Sequence, residues 1–198
     1  MLASKIRRRI RGKGRGTVWT PFDFLNLGPR TAIDMALSRL TDQGVIRRLA
    51  HGIYDFPKVS PRLGALLPNA DDVARAIARK DGGVLLISRA RAANMLGLTT
   101  QVPAKMVYLT DGPTRIKKIG TQTIELRHAS ANTLIGAGRA SGTVFQALRY
   151  LGKDGVDDAA IHQIIRSLGP DDAANVRRDR NRAPGWMQPI VDQIAEAA

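Results

Sequence analysis

Leu2, Ile6 and Ile10 recur four residues apart, with Lys5, Arg7, Arg8, Arg9 and Arg11 between and around them. That spacing predicts an amphipathic helix over residues 2–11. The run GKGRG at 12–16 ends it, and residues 17–19 follow as a short strand. Thr20 can cap a further helix whose first position is Pro21, where a missing N–H costs nothing, and Phe22 and Leu25 then face inward. Gly28 and Pro29 open a helix over 30–43 with Ile33, Ala36, Leu37 and Leu40 on one stripe. The same geometry puts Thr31, Met35, Ser38 and Asp42 on the opposite side, with Arg30, Asp34 and Arg39 on the flanks. Gly44 fits a left-handed C-cap.

Directly after it, GVIRRLAHGIYDFPK at 44–58 holds two apolar runs, 45–49 and 53–56, around Ala50, His51 and Gly52. This is the pattern of a β-hairpin with a glycine in its loop. Side chains alternate along a strand, so Arg47 and Arg48 point to opposite faces and at most one can lie directly on any one surface.

Pro57, Pro61 and Pro68, with Ser60 and Gly64, mark a connector. Beyond it the periodicity predicts a helix over 71–80, a buried strand at 84–87, a helix at 88–96 capped by Ser88, and a strand at 106–109. Residues 115–118 and 121–127 can pair around Gly120, and helices follow at 144–151, 157–168, 171–178 and 186–197. The expected fold class is α+β: a first domain over 1–58, and over 62–198 a mixed α/β domain with C-terminal helices.

Charge changes the picture most. The chain carries 31 Lys and Arg against 17 Asp and Glu, a net charge of +14. Residues 1–60 alone hold 12 basic and 4 acidic residues. A polyanion is the natural partner, nucleic acid before an anionic membrane surface or an acidic protein. No apolar run approaches the roughly 18 residues of a membrane span. There is no cysteine, so disulfides and thiolate metal sites are excluded, which fits a cytoplasmic location.

Helix, short strand, helix, turn, helix and hairpin is the order of a winged helix-turn-helix, whose recognition helix enters the major groove of double-stranded DNA while the wing follows the backbone. On that reading Arg30 reaches guanine acceptors, and Thr31 and Ser38 meet base edges or phosphates. Arg39, Lys5 and Arg8 contact phosphates, and Arg47, Arg48 and His51 lie on the wing. The competing reading of each is an ordinary solvated surface, and Asp34 on the recognition face speaks for it. Neutralising six to ten phosphates would cost affinity roughly 10³ to 10⁵ between about 50 and 200 mM salt.

The run RGTVWTPFDFLNLGPRTAIDMALSRLTDQGVIRRLAHGIYDFPK resembles the N-terminal winged helix of the AbiEi-type antitoxins of type IV toxin–antitoxin systems. The later run LLISRARAANMLGLTTQVPAKMVYLTDGPTRIKKIGTQTIELRHAS is similar to the segment that follows in that family. The resemblance covers residues 1–130 well and the C-terminal helices less distinctively. It implies a transcriptional repressor of its own operon that binds operator repeats, with a nucleotidyltransferase-like toxin as protein partner; one chain on each half of a repeat would make a dimer on DNA.

The enzyme alternative finds less support. The doublets Asp71–Asp72, Asp157–Asp158 and Asp171–Asp172 each stand where a predicted helix begins, which explains them as N-terminal charge rather than as a two-metal centre. His51, His128 and His162 lack ligand spacing, and neither a Walker motif nor a GxSxG elbow is present. The expectation is no catalytic residue, no metal and no cofactor. A second reading is an interaction module that inhibits a partner enzyme and meets DNA only non-specifically. Basic groups at Arg115, Lys117 and Lys118, and at Arg177, Arg178, Arg180 and Arg182, suit flanking DNA, an acidic protein or water equally well.

Overall fold

Ile6 and Ile10 are fully buried, with Phe24, Ile33, Leu37 and Leu40, in one apolar cluster that organises the N-terminal part of the chain. In the computed structural model, which describes residues 1–197, helix α1 spans Leu2–Lys13 and strand β1 Val18–Trp19. A 3₁₀ helix follows at Pro21–Leu27, then α2 at Arg30–Asp42, β2 at Arg47–Ala50 and β3 at Ile53–Asp55. The stripe of α2 is buried as its spacing requires, and Gly44 takes φ 65° just beyond its end. β2 and β3 pair antiparallel, β3 pairs antiparallel with β1, and the sheet order is β1-β3-β2.

The segment after Thr20 differs from expectation. Thr20 does cap a helix that begins at Pro21, its N–H and hydroxyl both donating to Asp23 Oδ2 at 2.7 and 3.0 Å, but that helix is 3₁₀ rather than α. At three residues per turn, Pro21, Phe24 and Leu27 share a face. That face is the inward one, so Phe24 is buried while Phe22 and Leu25 are exposed.

The proline-rich stretch is not a bare connector. Val59–Ser60 (β4) and Gly64–Ala65 (β5) form a small antiparallel hairpin, and α3 runs over Ala70–Lys80. The chain divides into two compact units, residues 1–83 with 116–124, and residues 84–115 with the part from residue 125 onward. The expected boundary at 58–62 is therefore displaced by some twenty residues. The cause is in α3 and the loop before it: Arg79 donates to Asp23 Oδ1 and to the Val18 carbonyl, and the Leu66 carbonyl accepts from Arg47.

The remaining elements are β6 (Leu85–Ile87), α4 (Arg89–Met95), β7 (Met106–Thr110), β8 (Arg115–Ile119), β9 (Gln122–His128), α5 (Ala140–Leu151), α6 (Asp158–Ser167), α7 (Pro170–Asp179) and α8 (Gln188–Ala197). Strand order is β6-β7-β9-β8, with β6 and β7 antiparallel. The whole is a mixed α+β structure. The core of the second unit is helical, built from Val144, Phe145, Leu148, Ile164, Met187 and Val191 and their neighbours. Among the described residues no helix is long and apolar enough to cross a membrane.

Candidate nucleic-acid interface

Burying one stripe of α2 turns the other outward. Thr31, Met35, Ser38 and Arg39 are exposed along it. Arg30, in the first turn, is held from two sides: its Nε donates to both oxygens of Asp34, at 3.1 and 2.9 Å, and its guanidinium lies 4.9 Å from the centre of the Phe22 ring. Both Nη groups are left without a hydrogen-bond partner among the described residues. Asp34 thus serves Arg30 one turn away rather than facing solvent alone.

On the hairpin the two adjacent arginines part company. Both Arg47 and Arg48 are candidates on the wing, of which alternation lets at most one lie directly on a given surface, and Arg47 is the one that turns inward. Its Nε and Nη2 donate to Asp55 Oδ1 and Oδ2 at 3.1 and 2.7 Å, and Nη2 also reaches the Leu66 carbonyl at 2.7 Å. Asp55 is wholly buried and Arg47 is a third exposed. The Asp55 hydrogen bond holds the Arg47 guanidinium above its usual pKa, so it stays charged. Arg47 is thereby committed to holding β2 against β3 and the loop at Leu66, which makes it the inward member of the pair. Arg48 points the other way, exposed, with Nη2 3.3 Å from Nδ1 of the exposed His51.

The cations of α1 divide likewise. Lys5, Arg8, Arg11 and Lys13 are exposed, whereas Arg7 donates to Gln43 and Arg9 to the Asp23 carbonyl and to Asn26. Arg15 donates to the Pro57 carbonyl and lies over Phe56 at 4.7 Å. Helical periodicity separates the buried from the exposed face of α1, but which flanking arginines find partners depends on elements distant in sequence. Arg79 is the residue that sequence reasoning missed, and nothing in its local pattern points to Asp23.

In the second unit, the doublets of acids sit at helix starts. Asp157 accepts from the Ala160 N–H at 2.8 Å, and Asp171 and Asp172 lie in the first turn of α7. In the first unit Asp71 and Asp72 open α3, behind Asn69, whose side chain caps it. Among the described residues no three His, Asp or Glu side chains converge as metal ligands. The arginines at 177–182 are largely engaged: Arg177 donates to the Ala195 carbonyl, and Arg182 lies 3.6 Å from the buried Asp179.

Against known proteins, the profile of a family of unknown function, DUF6088, matches residues 5–176. The chain belongs to the DUF6088 family. The DUF6088 match begins within α1 and ends within α7, so it takes in both units and every candidate residue from Lys5 to His51. No curated protein matches this DUF6088 chain. Among solved structures it is similar to the RV2827C protein from Mycobacterium tuberculosis, at 15% identity and TM-score 0.45, over 99% of this chain and 81% of that one.

Proposed function

We propose that this DUF6088 protein is a sequence-specific double-stranded DNA-binding regulator whose N-terminal elements act as a winged helix-turn-helix. The observation that carries the reading is the placement of α2, one face buried and the other lined by Arg30, Thr31, Ser38 and Arg39, immediately before a hairpin that completes the sheet β1-β3-β2. In a winged helix that helix enters the major groove. Arg30, braced by Asp34 and Phe22, offers its two Nη groups together, which suits the paired O6 and N7 acceptors of guanine. Thr31 and Ser38 meet base edges or backbone. Arg39, Lys5 and Arg8 take phosphates, which fix register without carrying sequence information. On the wing, Arg48 with His51 replaces Arg47 as the backbone contact.

The resemblance of the quoted runs to AbiEi-type antitoxins extends the proposal. The protein represses its own operon by binding operator repeats, as a dimer, and counters a nucleotidyltransferase-like toxin in the cytoplasm. A DNase footprint on its own upstream region tests the first part. Protected repeats, spaced near one helical turn or a multiple of it, are expected, and an unprotected region overturns autorepression. Coexpression with the product of the adjoining gene tests the second, with rescue of growth as the expected result.

A further inference from the structure

The second unit contains a cavity that the DNA-binding reading does not use. Its volume is about 640 Å³, within the usual range of small-molecule sites. The floor is apolar: Val107 and Leu109, alternate residues of β7, point into it, while Tyr108 between them is fully buried on the other face of the strand. An antiparallel sheet normally turns polar side chains to its open face, so two aliphatic residues there mark a surface meant to be covered.

The rim is cationic. Arg89 at the start of α4, Lys105 and Arg127 all line the cavity. Arg127 donates to Glu125, at 2.6 Å, and Lys105 also feels that carboxylate. Arg89 has no ion pair among the described residues. Arg149 adds to the imbalance: among the described residues it donates to the carbonyls of Thr133 and Asn132 and to no carboxylate, and Thr133 itself lines the cavity. Burial first, and then the like charge of Arg89, hold the Arg149 guanidinium below its usual pKa. Positive charge is thus gathered at the rim beyond what one glutamate answers.

We propose that this cavity is a binding site for an amphipathic organic anion, with an acyl or aryl body on Val107 and Leu109 and a carboxylate, sulfonate or phosphate head against Arg89 and Lys105. The apolar body supplies affinity by burial, and the head answers the unpaired guanidinium.

The test uses the full-length protein and anilinonaphthalene sulfonate as a fluorescent probe, with octanoate as competitor. One saturable site is expected, from which octanoate displaces the probe. Arg89→Ala should weaken both ligands about tenfold, as loss of a charge-assisted hydrogen bond requires. Val107→Asp, which places a like charge on the apolar floor, should abolish binding. Arg178→Ala, exposed on α7, should leave it unchanged. Coincident thermal melts of Arg89→Ala and the wild type establish that the folded chains are being compared. Unsaturable binding, equal affinity in Arg89→Ala and wild type, or displacement by inorganic sulfate as readily as by octanoate would each overturn the proposal, the last by showing a bare anion site.

Discussion

Arg47 and Asp55 face each other across β2 and β3, and the guanidinium of the first closes on both carboxylate oxygens of the second. Because Asp55 is wholly buried in the native chain, removing its partner leaves a carboxylate in a desolvated site without its cation. Arg47→Ala should therefore cost about 3 to 5 kcal/mol. Urea denaturation measures it, and a loss below about 1 kcal/mol would show that the pair is not what holds β2 to β3.

Arg48, one residue on, should behave in the opposite manner. Arg48→Ala removes an exposed side chain that meets His51 at 3.3 Å, an exposed contact, so stability should change by less than about 0.5 kcal/mol. If Arg48 meets phosphate, affinity for all duplexes should fall alike and the salt slope should drop by about 1. An unchanged slope in fluorescence anisotropy titrations would remove Arg48 from the interface.

Arg30 is braced for direction rather than only for charge. Arg30→Lys keeps the charge but loses the planar fork, and preference at one base pair should weaken by about 1 to 3 kcal/mol. Phe22→Ala removes the ring beneath the guanidinium and should shift preference in the same direction by less. A binding selection on randomised duplexes reads both.

Gly136 and Gly142 approach so closely that a methyl group on either meets backbone. A Cβ on Gly142 would lie 2.4 Å from the Gly136 carbonyl oxygen, and one on Gly136 would lie 2.5 Å from the Gly142 nitrogen. Gly142→Ala should destabilise the protein by about 3 kcal/mol, although alanine ordinarily strengthens a helix. A thermal melt no lower than the wild type would refute this steric account.

Glu125 offers a pH measurement. The hydrogen bond from Arg127 holds its carboxyl below the ordinary glutamate value, against the opposing effect of burial, and the charges of Arg127 and Lys105 add to it. A depressed folded-state pKa means that whatever stability the pair contributes is present above the unfolded value and is lost as pH falls through the folded one. Carbon-detected NMR titration should find the midpoint low in the wild type and raised in Arg127→Ala.

The sequence made α1, α2 and the hairpin legible because their apolar positions repeat at unambiguous periods. It misled at Phe22 and Leu25. In a 3₁₀ turn the pairs Phe22 and Leu25, and Phe24 and Leu27, are equally well spaced, and the choice between them is made by the Thr20–Asp23 cap. Arg47 and Arg48 could be told apart in principle by alternation but not assigned, because the decision rests on Asp55 and on a carbonyl 19 residues away. The domain boundary escaped for a similar reason. α3 buries alanines around much of its girth, so its pattern does not say which core it joins.

The bond between Arg79 and Asp23 has a practical consequence. Asp23 fastens the turn that positions Phe24 and, through Thr20, the approach to α2, and Arg79 fastens Asp23 from 56 residues downstream. A fragment cut at residue 58 would keep every candidate DNA contact yet forfeit both Arg79 and the Leu66 carbonyl. An N-terminal piece that keeps both bonds must therefore run at least through Arg79 in α3, and it still lacks residues 116–124, which belong to the same compact unit.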